Sequence, residues 1–153
     1  MSRERNAVVG AAAVYVAVSL AAGVAAFAGA RVARTRFFVA ATGDGAEELG
    51  PVFVESIVVQ LGLTALVVAP ILAVVTGLLI SRGVPAPLEA IGIGVIVGFC
   101  GTLVFGVTVA VFGSAGTSVG SLRTQPFLLT VAVTAGASAV VSGISAAVGA
   151  MTG

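Results

Sequence analysis

Residues 90–122 read AIGIGVIVGFCGTLVFGVTVAVFGSAGTSVGSL, a run without a single Asp, Glu, Lys, Arg or His. A helix that crosses a bilayer needs about 20 predominantly apolar residues. Three more runs are free of charge: Asn6–Ala30, Ser56–Ser81 and Thr124–Gly153. Each is about 25 residues or longer, enough to span the hydrocarbon once. Composition points the same way. The 153 residues are 59% hydrophobic and 8% charged, whereas soluble domains carry about 25% charged residues. Too few polar side chains exist to clothe a water-facing surface. The expected fold is all-α, a single membrane domain of four transmembrane helices in a compact bundle. Its spans fall at about 7–30, 52–81, 88–112 and 126–150.

Punctuation between the runs supports this division. Thr42-Gly43-Asp44-Gly45 is a turn signal, and Asp44, Glu47 and Glu48 make a solvated acidic loop. Pro51 suits a first helical turn, where its missing N–H has no partner to lose. Pro70 is the expected hinge of the second helix, because it deletes one backbone hydrogen bond and crowds the preceding turn. Thr76-Gly77 is expected to loosen its last turns. Arg82-Gly83-Val84-Pro85-Ala86-Pro87 forms a tight connection. Glu89 lies in the first turn of the third helix, where the helix dipole favours an anion. Gly113–Gly120 reads as a flexible loop.

All seven basic residues are arginines: 3, 5, 31, 34, 36, 82 and 123. They form no dense basic run of the kind that displaces counterions from nucleic acid. Arg31, Arg34 and Arg36 follow the first apolar run directly, and their stems can snorkel to the headgroups as interface anchors. A sharper reading makes them an anionic-lipid or partner contact. The start resembles a signal peptide, with Arg3 and Arg5 ahead of an apolar run and Ala26-Phe27-Ala28 in the place of a cleavage site. The run is longer than a cleaved leader's, and the arginines after it resist translocation. A retained helix is therefore expected. Arginine counts on the two sides are nearly balanced, so the cytoplasmic placement of both termini rests on base rate.

Ala, Val and Gly dominate, and Lys, His and Trp are missing. In this usage the chain resembles small four-helix integral membrane proteins of halophilic archaea. The resemblance spans the whole chain, rests on residue usage, and implies a multi-pass cell-membrane protein. It supplies no motif residues to carry over.

Small residues fall on helix faces. Gly94, Gly98 and Gly101 lie at i, i+4, i+7 on the third helix; Ser138, Ser142, Ser145 and Gly149 form a stripe on the fourth. Ser19, Ala22 and Ala26 do so on the first, one turn beyond Tyr15. Such faces let helix backbones approach closely in lipid, where hydrophobicity alone pairs nothing. A close contact between helices three and four is expected. Gly92, Gly94 and Gly98 imitate a dinucleotide fingerprint, but that motif needs a preceding strand and a solvent-facing phosphate site.

The candidate intramembrane polar site is Glu55, Gln60, Thr64 and Tyr15. Polar groups are expensive in hydrocarbon, so each is a functional candidate. The structural reading of Glu55 is a carboxylate near a helix start, paired with an arginine at the same membrane edge. Gln60 and Thr64 are expected to bond between helices, with Tyr15 bonded to one of them. Cys100 is expected to be a packed small residue. With no His, no Lys and no paired intramembrane carboxylates, neither catalysis nor a metal or cofactor site is expected. The leading function is a non-enzymatic accessory or structural subunit, associating through small-residue faces as a homo-oligomer or within a larger membrane complex. The alternative is an oligomeric ion or small-solute transporter or channel. A third reading is a structural membrane protein of an archaeal virus.

Overall fold

The computed structural model describes residues 2–40, 56, 59–60, 62–117 and 125–152. Four helices make up the bundle: α1 (Ser2–Ala40), α2 (Val68–Ser81), α3 (Pro87–Thr117) and α4 (Gln125–Thr152). Residues 62–66 are helical and lead into α2. Four helical stretches are apolar and long enough to cross a membrane: Arg3–Arg36, Gly62–Ser81 (α2 with the helical residues ahead of it), Pro87–Gly116 and Phe127–Thr152, with mean hydropathies of 2.2, 2.6, 2.4 and 2.0. Their outward positions carry large aliphatics, such as Ile71 (61% exposed), Ile96 (63%) and Val133 (66%). In water such a surface would be one continuous adhesive patch. In lipid it is the expected exterior.

The helices alternate in direction, so α1 and α3 run parallel. α3 lies between α1 and α4, α2 packs chiefly against α4, and α1 and α4 do not meet among the described residues. One core cluster joins Tyr15, Leu66, Leu72, Phe105, Val109 and Phe127. Another gathers Ala11, Ile80, Val84, Ala90 and Ala146 at the opposite end. The corner between α2 and α3 is tight: the N–H groups of Gly83 and Val84 both donate to the Ile80 carbonyl at 3.0 Å. Gly83 sits directly on Ala7 and the Arg3 carbonyl, so a side chain there would collide with α1.

Proline interrupts the hydrogen-bond ladder of the second span. Pro70 has no N–H for the Leu66 carbonyl. The regular pattern breaks at Val67, whose N–H donates to the Thr64 carbonyl at 3.2 Å before α2 resumes.

Three expectations are corrected. α3 does not stop at Phe112 but continues through Gly113 to Thr117. Gly116 is not a loop residue: a Cβ there would lie 2.7 Å from the Ala30 Cβ and 2.8 Å from the Phe27 carbonyl oxygen. It is a point of close helix approach. Thr76 and Gly77 likewise do not loosen α2. Both are buried, and a Cβ on Gly77 would lie 2.5 Å from the Ser142 carbonyl oxygen. Finally, Cys100 is exposed on the outer surface rather than packed inside. A neutral thiol is apolar enough to face hydrocarbon. By contrast, the run of α1 past Ala30 to Ala40 agrees with the lack of a helix breaker in Arg31-Val32-Ala33-Arg34-Thr35-Arg36.

Candidate functional site

Glycine and serine bring three helices together without side chains between them. On α3, a Cβ at Gly94 would lie 2.9 Å from the Ser142 carbonyl oxygen; at Gly98 it would lie 2.7 Å from the Ser138 carbonyl oxygen and from the Ser142 Cβ. These are backbone-to-backbone approaches, which only a residue lacking Cβ permits. The serine stripe of α4 is shared between partners. Ser138 faces α3, Ser142 lies against Gly98 of α3 and, through its carbonyl, Gly77 of α2, and Ser145 faces Gly77, 2.9 Å from its hypothetical Cβ. Gly149 packs on Ser81 of α2. Gly101 belongs elsewhere: it accepts the flat of the Tyr15 ring from α1, with Cγ and Cδ2 each 2.5 Å from where a Cβ would stand. Gly94, Gly98 and Gly101 therefore serve two interfaces.

Tyr15 is 2% exposed and carries the largest fully buried polar side chain. Its hydroxyl lies beside those of Thr102 on α3 and Thr76 on α2. Thr76 is already occupied, donating to the Leu72 carbonyl at 2.8 Å. The Tyr15, Ser19, Thr102, Ser138 and Ser142 hydroxyls are buried and make no hydrogen bond of good geometry among the described residues. Adjacency without formed bonds is what a junction of neutral hydroxyls offers: weak donors and acceptors, with no base to take a proton. Among the described residues no group of three or more His, Cys, Asp or Glu converges on one point.

The remaining predicted polar residues lie apart from this junction. Gln60 and Thr64 are exposed. The Thr64 hydroxyl donates to the Gln60 carbonyl of its own helix at 2.8 Å, a local bond open to any helical threonine four residues on. Tyr15 neighbours Thr102 and Thr76 instead. Glu55 and the acidic loop residues Asp44, Glu47 and Glu48 lie outside the described residues. Arg31, Arg34 and Arg36 are exposed, with the Arg31 guanidinium 5.8 Å from the centre of the Phe27 ring.

Two apolar grooves open outward along the seam of α1 and α3. One, of about 350 Å³, is lined by Val24, Phe27, Val111, Phe112 and Ala115. The other, of about 220 Å³, has the Tyr15 ring, Val16, Ile96 and Cys100 among its walls. Sequence reading missed both, since a groove is a property of two helices and not of either one.

The fold and these sites define a multi-pass integral membrane protein. No family model, no curated protein and no solved structure matches the chain.

Proposed function

We propose that the protein is a non-enzymatic accessory or structural subunit of the cell membrane, which associates through the outer face of α1 with a second copy or a larger complex. One observation carries this reading. Ala13, Ala17, Ala21, Ala25 and Ala28 are all exposed along α1, and Gly10 continues the row with open space where a Cβ would stand. On the second span the outward positions hold Leu63, Val67, Ile71 and Leu78, and on α4 the exposed Ala132 and Ala137 stand among Leu129, Val133, Val140 and Ile144. Lipid is well served by large aliphatics; a continuous seam of alanine is suited to another helix. Val16, Leu20 and Val24 flank it as ridges. The neutral hydroxyls at the bundle's centre support the non-enzymatic part, because they supply neither a general base nor an activated nucleophile.

Disulfide scanning in native membranes tests the reading. In a Cys100→Ser background, Ala17→Cys and Ala21→Cys should cross-link, while Val133→Cys on the outer face of α4 should not. Equal cross-linking at all three positions, or none, with a single-chain species on gentle solubilisation, removes it. The transporter alternative draws on one feature, the exposure of Gln60 and Thr64 on the second span. An oligomer meeting at that face would line a path with them. Flux into proteoliposomes that falls in Gln60→Leu would favour it. Both termini are placed on the cytoplasmic side in this reading.

A further inference from the structure

We infer that the groove between α1 and α3 below Arg31 is a binding site for an anionic phospholipid, with the acyl chain in the groove and the phosphate on Arg31 and Arg34. The groove is open to the surrounding lipid, and its five lining side chains, Val24, Phe27, Val111, Phe112 and Ala115, are all apolar. It therefore suits a hydrocarbon chain and offers nothing to a polar solute. What separates a bound lipid from bulk solvent lipid is the charge at its mouth. Phe27, Arg31 and Arg34 fall at i, i+4 and i+7, on one face of α1. The Arg31 guanidinium sits 5.8 Å from the centre of the Phe27 ring, which is itself a wall of the groove. Ring and cation thus form a single corner, apolar below and positive above.

The helix keeps its shape through this corner. The Thr35 hydroxyl donates to the carbonyls of Arg31 and Val32, each at 3.1 Å. Arg31 and Arg34 are exposed and form no ion pair among the described residues. Guanidinium matches phosphate oxygens in a two-pronged geometry. The first apolar run ends at Ala30, so both arginines stand at the level of the headgroups when that run fills the hydrocarbon. Arg36 is the internal control. It lies two residues past Arg34, on another side of α1, and is also exposed. A general attraction of cations to an anionic surface would use all three equally. The groove site uses two.

The test is native mass spectrometry of the full chain released from detergent with phosphatidylglycerol or phosphatidylcholine of identical acyl chains. Phosphatidylglycerol should be retained preferentially. Arg31→Gln or Arg34→Gln should each lower its retention by about five-fold, the scale of one arginine at an anionic surface. Arg36→Gln, with the same loss of charge, should leave it within about two-fold. Ala115→Phe, which fills the groove without touching charge, should lower retention of both lipids. Equal losses in all three arginine variants would reduce the site to general electrostatics and overturn the proposal. So would an Ala115→Phe variant that keeps full retention and an unchanged melting temperature.

Discussion

Two surfaces of this protein are built from the same small residues and end differently. The face between α3 and α4 is closed: Gly94 and Gly98 lie against the backbone of Ser142 and Ser138. The outer face of α1 is open, with Ala13, Ala17, Ala21 and Ala25 exposed. Both have the i, i+4 spacing that lets helices approach in lipid. The closed face shows what such spacing accomplishes when a partner is present. The open face has the spacing and no partner among the described residues. Composition alone therefore does not separate an internal contact from an external one. The separation lies in which helices the short connections bring together.

The largest expected effect comes from breaking the closed face. Gly98→Leu forces a side chain into the Ser138 carbonyl and should cost at least about 1–3 kcal/mol, by the scale of overpacked cores. The conservative Ile96→Leu, on the exposed side of the same helix, should stay within about 0.5 kcal/mol. Thermal unfolding of both variants in one detergent checks this, and equal stability would discredit the close approach of α3 and α4. Next in size is the open face. Ala21→Leu should leave unfolding within about 0.5 kcal/mol while weakening self-association about ten-fold, equivalent to about 1.4 kcal/mol. Sedimentation in density-matched detergent reads the association directly. A loss of fold stability without a change in association would reverse the assignment of the two surfaces.

Between these two surfaces lies the seam of Gly101 and Tyr15. Gly101→Val should displace the ring and destabilise the bundle, by about 1–3 kcal/mol at most sites of this kind. Tyr15→Phe keeps the ring and removes only a hydroxyl that forms no good hydrogen bond. Its expected effect is the smallest, within about 0.6 kcal/mol, the average for interhelical hydrogen bonds in membranes. A much larger loss on Tyr15→Phe in a denaturation series would mean that the junction with Thr102 and Thr76 holds the bundle by polarity rather than by packing.

The span pattern was legible because charged residues are so few that they fall only before or between the long apolar runs. Faces were legible too, since spacing fixes which residues share a side of a helix. Partners were not. Nothing in the sequence distinguishes Gly101, which receives Tyr15, from Gly98, which receives Ser138. Glycines misled where rules learned from water were applied to lipid. Gly77 and Gly116 read as looseness or turn, yet each marks a point where another helix presses close. Thr64 misled in a different way. Its hydroxyl had a carbonyl available on its own helix, four residues back, and took that in preference to a partner elsewhere. Cys100 faces outward because a thiol is tolerated in hydrocarbon, a freedom that composition does not reveal.

α1 runs for 39 residues, about 58 Å at 1.5 Å per residue, against a hydrocarbon layer of about 30 Å. A helix of this length exceeds that layer, so tilt and protrusion of its ends must share the excess. A protease that cuts after arginine should therefore reach Arg36, beyond the headgroup-level Arg31 and Arg34, from one side of a sealed vesicle, and the corner at Arg82 from the other. Amine-directed reagents would find no lysine on either side. The protein thus carries its own compass needle, readable from the sizes of two fragments on a gel.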